Sequence, residues 1–206
     1  MRGRSVRLGL AILVAGAPLA RAQDFGITGG VAISKFAGDD VGEFSKTRLG
    51  LVGGVFAYFR LSDVLGIQPE VLYFQKGGKG ETAGFTAEVR LSYLEVPLLL
   101  KLAFPEGGRL RPHLYAGGAM AFKLGCRLRV SSATADDSSP CEDDPETQVT
   151  DTDFSVILGA GVEFDRATLS LRYDWGLTKL DAGPEENHLV NRTVYLLLSW
   201  TFRPPR

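Results

Sequence analysis

From residue 25 onward the chain alternates. Phe25, Ile27, Gly29, Val31 and Ile33 interleave with Gly26, Thr28, Gly30, Ala32 and Ser34, so one side of the segment is apolar and the other small or polar. A period of two throws successive side chains to opposite faces, which is the signature of a strand and not of a helix. The same beat returns in Leu49, Leu51, Gly53, Val55, Ala57 and Phe59 against Arg48, Gly50, Val52, Gly54, Phe56, Tyr58 and Arg60. A third run sets Leu65, Ile67, Pro69, Val71 and Tyr73 against Gly66, Gln68, Glu70, Leu72 and Phe74. The fourth, over about 85–102, is predicted to slip phase near Tyr93, because Arg90 and Ser92 are even while Glu95 and Lys101 are odd. A β-bulge there would restore the alternation. Four further runs, over 113–124, 154–164, 169–177 and 194–202, bring the expected strands to eight.

The connections carry a second pattern. Residues 61–63, 103–110 and 165–166 are short, whereas 37–46, 77–84, 125–152 and 178–191 are mostly long and polar. Alternation of short turns with long polar loops is the asymmetry of outer-membrane barrels, and an even strand number returns both termini to the periplasmic side. Which face is greasy separates this from a lipocalin-like barrel or a sandwich, where large apolar side chains point inward. Here one face carries Leu, Val, Phe, Tyr and Trp with almost no charge, and the other mixes Gly, Ala and Ser with isolated charges, as a narrow polar lumen would. Aromatic residues gather near strand ends, at Tyr73, Tyr173, Trp175, Trp200 and Phe202, where interfacial belts are expected. The fold class read from this is all-β: an eight-stranded antiparallel transmembrane β-barrel.

The first 22 residues differ. Arg2, Arg4 and Arg7 form a basic start, an apolar stretch follows over 8–19, and Ala20-Arg21-Ala22 supplies a small-x-small site. These are the parts of a signal peptide, with cleavage expected before Gln23 and a barrel domain over 23–206. The apolar stretch, broken by Gly9, Gly16 and Pro18, is shorter than the roughly 20 residues a spanning helix needs. With 23 Lys+Arg against 24 Asp+Glu, no basic field points to nucleic acid. Removing Arg2, Arg4, Arg7 and Arg21 takes the net charge from −1 to about −5.

Several segments then combine. Gln68-Pro69-Glu70-Val71-Leu72-Tyr73, Tyr93-Leu94-Glu95-Val96-Pro97-Leu98-Leu99-Leu100-Lys101, Gly159-Ala160-Gly161-Val162-Glu163 and Leu171-Arg172-Tyr173-Asp174-Trp175-Gly176-Leu177 occur in that order. In this the chain resembles the outer-membrane protein β-barrel family of porin-family or PorT-like small barrels. The departure is a long acidic insertion between the fifth and sixth strands. The resemblance implies fold and location far more firmly than activity.

The chemistry-bearing residues are the inward charges Glu70, Arg90, Glu95, Lys101, Glu163, Arg172 and Asp174, read as one lumen network. A turn at 61–63 would set Gly54 opposite Glu70, and one at 165–166 sets Gly159 opposite Arg172, each glycine leaving room for a long charged side chain. An eight-stranded barrel has an interior just wide enough for side chains to fill, so the network is expected to plug the lumen. A narrow channel for ions or small solutes is the rival.

His113 and His188 stand beside no nucleophile motif, so an enzyme is not expected, a lipid-modifying one being the remaining alternative. The acidic run with Asp136, Asp137, Glu142, Asp143, Asp144, Glu146, Asp151 and Asp153 lacks a calcium-loop spacing, and no metal or cofactor is expected. Cys126 and Cys141, both placed outside the strands, are expected to form a disulfide across the third external loop after export to an oxidising compartment. The expected partners are outer-membrane lipid and, through the loops, an extracellular or periplasmic protein.

Overall fold

The computed structural model describes residues 24–37, 46–82, 85–104, 109–132, 136–141, 150–178 and 190–202. The expected signal peptide, His188 and half of the acidic run, Glu142, Asp143, Asp144 and Glu146, lie outside them. The strands are β1 (Asp24–Ala37), β2 (Arg48–Arg60), β3 (Leu65–Thr82), β4 (Phe85–Ala103), β5 (Leu110–Ser131), β6 (Asp136–Pro140), β7 (Thr152–Phe164), β8 (Ala167–Gly176) and β9 (Val190–Phe202). All pairings are antiparallel between chain neighbours, apart from β5 with β7 and the closure of β1 on β9. Eight of the strands thus form a ring. The ninth, β6, pairs only with the outer end of β5 and folds back over it.

The alternation read from the sequence sets the two faces of the ring. Ile27, Val31, Leu51, Val55, Leu98, Leu158, Leu171 and Leu198 all point outward and are 42–63% exposed. Thr28, Ala32, Gln68, Glu70, Ser170 and Arg172 point inward and are buried. Phe25 and Phe202 meet on the outer wall where β1 begins and β9 ends, ring centroids 5.6 Å apart. Trp175, toward the other end, lies under the Arg192 guanidinium at 4.1 Å. A closed ring leaves no unpaired strand edge within the wall, which is what allows strands to stand in lipid.

Four expectations are corrected. The sequence predicts a loop over 77–84, yet β3 and β4 continue pairing out to Thr82 and Phe85, forming a hairpin that projects beyond the ring. The phase slip belongs to β5 and not to β4. Leu91, Tyr93 and Glu95 are all inward and buried, so β4 never changes phase, while Ser92 pairs with Gly125 and Tyr93 with Lys123, leaving Leu124 as the extra residue. The polar character of Arg90 and Ser92 had suggested the lumen; both in fact face outward.

The third correction concerns the β2–β3 turn, which is longer than 61–63. Leu61 and Ser62 both donate from N–H to the Leu65 carbonyl, so Glu70 pairs with Phe56 and Gly54 with Leu72. Lastly, Cys126 lies within β5, because that strand runs seven residues past Leu124 to Ser131.

The faces make a direct test. Leu196 and Leu198, 44% and 63% exposed on the outer wall, should each impair membrane insertion when changed to Arg, at a cost of roughly 2–4 kcal/mol near mid-membrane. Refolding into lipid vesicles, followed by denaturant titration, measures it. Equal stability of both variants and the parent would mean the faces are reversed.

Candidate functional site: the charged lumen

Three tiers of charge stack inside the ring. Nearest the turn end, where β1 begins and β9 ends, Lys101 on β4 reaches Glu163 on β7 at 3.1 Å, with the Tyr58 and Tyr115 rings 5.2 and 5.9 Å from its ammonium. His113 is buried beside it, its ring edge-on to Tyr115 at 4.8 Å.

In the middle tier, Arg172 on β8 grips Glu70 on β3 with both fork nitrogens, at 2.8 and 2.9 Å. Gln68 donates to the same carboxylate at 2.6 Å, and the Arg172 guanidinium stacks 4.3 Å over Tyr115. Gly159 faces Arg172 in the ladder. A Cβ at Gly159 would sit 2.7 Å from the Arg172 side chain, so a glycine is needed for the arginine to lie along the wall.

The third tier centres on Lys76. Its ammonium donates to Asp174 at 2.6 Å and lies 2.7 Å from Glu95, between the Phe74 and Tyr93 rings. Asn191 donates to Asp153 at 2.9 Å close to the same level. Leu72, Leu99, Ile157 and Leu197, all fully buried, fill space inside the ring with these tiers.

Of the seven charges expected in the lumen, six are inside: Glu70, Glu95, Lys101, Glu163, Arg172 and Asp174. Arg90 is not. Its side chain is 43% exposed on the outer wall and pairs with Glu88 at 2.9 Å. Lys76 is absent from the expected network because the third apolar–polar run ends at Phe74 and the loop begins at residue 77, leaving the lysine in neither. Its even parity with Leu72 and Phe74 was the available signal. Asp153, which the sequence groups with the acidic run, is the second residue of β7, points inward and is buried.

Beyond the apolar wall, at the external rim, Glu88 collects several cations. Arg48 reaches it at 2.8 Å, Arg90 at 2.9 Å and Lys79 at 4.0 Å. Burial pushes the Glu88 carboxyl up, but the hydrogen bonds from Arg90 and Arg48 outweigh this and hold it at about 2. Nearby, Cys126 and Cys141 are joined, their Cα atoms 5.3 Å apart, tying the outer part of β5 to the residue after β6.

A closed antiparallel ring with an apolar outer wall and charges turned into a narrow lumen defines a membrane-spanning β-barrel. Residues 18–182 match the model of the outer membrane protein beta-barrel domain, and the chain belongs to that family. It is a protein of the bacterial outer membrane. Among solved structures, Ail, the attachment invasion locus protein of Yersinia pestis, is similar at 16% identity over 87% of this chain and 99% of that one, with a TM-score of 0.46. Neisserial surface protein A is similar at 16% over 87% and 97%, TM-score 0.49. OprG from Pseudomonas aeruginosa is similar at 12% over 89% and 98%, TM-score 0.49. No curated protein matches the chain.

Two outcomes follow from these contacts. Arg172→Met should destabilise the barrel by about 3–5 kcal/mol, because it strands the Glu70 carboxylate, and adding Glu70→Met should recover most of the loss. Urea unfolding in lipid vesicles measures both, and equal stability of the single and double variants would contradict the pairing.

The second concerns acid. Because the folded Glu88 carboxyl lies below its ordinary 4.5, its contribution is full above about pH 4.5 and fades as pH falls through about 2. The stability gap between the parent and Glu88→Gln should therefore close between those values. A gap independent of pH would show that Glu88 is not held as an ion.

Proposed function

We propose that the protein is a non-enzymatic barrel with a structural or surface-interaction role, its lumen closed to solutes by its own side chains. The observation that carries this is the Arg172–Glu70 fork, in which both side chains are only 1% exposed although they lie in the middle tier of the lumen. Two charges so far from water persist only when paired and hydrogen-bonded, and a solute pathway through the same level would have to break them. Tyr115, Tyr195 and Leu197, all buried, crowd the space around the fork.

The lumen also supports the non-enzymatic reading. His113 is enclosed in the barrel interior, where it cannot meet a lipid outside the wall. Surface interaction is supported by the external architecture. The β3–β4 hairpin and the β5–β6 hairpin extend past the ring, giving a rigid platform where a loop alone would be pliant. The Cys126–Cys141 bridge belongs to this reading as the clamp of that platform. It closes a loop with a sequence separation of 15, for which the chain-entropy contribution is about 3 kcal/mol.

Planar-bilayer recording of the purified protein tests the closed lumen. Silence is expected; stable unitary currents would establish a channel instead. Mass spectrometry of unreduced digests tests the clamp. The peptides holding Cys126 and Cys141 should appear linked, and free alkylation of both in protein taken from the outer membrane would remove it.

A further inference from the structure

The outer wall carries a charged feature separate from the lumen. Where β3, β4 and β5 leave the apolar belt, their outward residues rise in rows. Tyr73, Leu94 and Phe122 are register partners, 42, 37 and 43% exposed, and form the last apolar row. In the next row Gln75 pairs with Ser92 and Ser92 with Gly125. The Ser92 hydroxyl lies 3.1 Å from the Tyr73 hydroxyl, to which Gln75 donates at 3.3 Å. Beyond these, Arg90 stands directly opposite Arg127.

Like charges facing each other across an antiparallel pair are destabilising. Glu88 holds Arg90 through Nε and Nη2 at 2.9 and 3.2 Å, but it also serves Arg48 and Lys79, and Arg127 has no ion pair among the described residues, so the row keeps a net positive charge. The bulge creates this arrangement. Odd positions of β5 up to Ala121 face the lumen, and the extra residue Leu124 turns the odd positions beyond it, Arg127 among them, to the outside. Leu124 itself, 59% exposed, lines the same outer cleft as Arg90, Arg127 and Ser92.

We propose that Arg90 and Arg127 form a docking site for the phosphate of an outer-leaflet lipid. A guanidinium fork matches phosphate oxygens in a bidentate geometry, and one phosphate set between the Arg127 fork and the Nη1 edge of Arg90, whose other edge Glu88 holds, would turn their repulsion into charge-assisted contacts. The apolar floor selects a lipid over a free anion. Acyl chains can lie against Leu94, Phe122 and Leu124 while Ser92, Tyr73 and Gln75 offer polar contacts to the sugar headgroup. The site rests on the outer-membrane placement and not on the closed lumen, so a conducting barrel would leave it standing.

The test is lipid binding by the protein in nanodiscs, read by native mass spectrometry, with bisphosphorylated lipid A against its dephosphorylated form. The parent should prefer the phosphorylated lipid by about tenfold or more, as expected for charge-assisted contacts. Arg90→Ala/Arg127→Ala should abolish the preference while retaining the heat-dependent gel mobility of a folded barrel. If that variant fails to assemble, Arg127→Gln carries the same expectation. Equal affinity of the parent for both lipids, or an undiminished preference in an assembled variant, overturns the proposal. Displacement of the lipid by millimolar inorganic phosphate overturns it too, since the site would then be one for a free anion.

Discussion

A bilayer core offers no hydrogen-bonding partner to a peptide group, and every other feature of this molecule depends on that. Strands can stand in lipid only if each backbone N–H and C=O is paired with a neighbouring strand, so the sheet must close on itself. Closure of β1 on β9 meets the demand and commits each strand to one face toward lipid and one toward the lumen. The outer face then has to be apolar. Charges that the chain carries within the spanning region are left with one place to go, the interior of a ring too narrow to hydrate them freely.

In that interior the charges obey the rules of a buried core. The cation of each tier is matched: Arg172 with Glu70, Lys76 with Glu95 and Asp174, Lys101 with Glu163. Aromatic rings lie beside all three cations, and glycine appears where the wall must leave room, as at Gly159. Such pairs add little net stability compared with a well-packed apolar core, but removal of one partner is costly. The lumen therefore constrains itself, and the freedom to interact is left to the outer wall and to the hairpins beyond it.

The ring was legible in the sequence because its constraint is simple. Alternation of apolar and polar residues over nine or more positions has one reading when no helical period competes, and six of seven lumen charges followed from parity alone. What parity could not supply was where strands end and where they change phase. Arg90 was misplaced because a polar side chain beyond the apolar belt has no need of the lumen; above the lipid, both faces are wet. Lys76 and Asp153 were missed for the related reason that strand continuation through glycines, or into an acidic run, leaves no hydrophobic trace. The bulge does fall at Ser92 and Tyr93, but its extra residue is on β5, and the polar Arg90 and Ser92 imitate a slip in β4 only because they stand above the apolar belt. Only pairing, Tyr93 with Lys123 and Ser92 with Gly125, shows which strand holds the extra residue.

The closed ring in the outer membrane is tested most directly by separating the membranes of producing cells and running the outer-membrane fraction on a gel with and without boiling. A closed barrel resists detergent until all its strands part, so the protein should be found in that fraction and migrate faster unheated than boiled. Recovery as a soluble periplasmic protein, or a mobility indifferent to heating, would contradict the account.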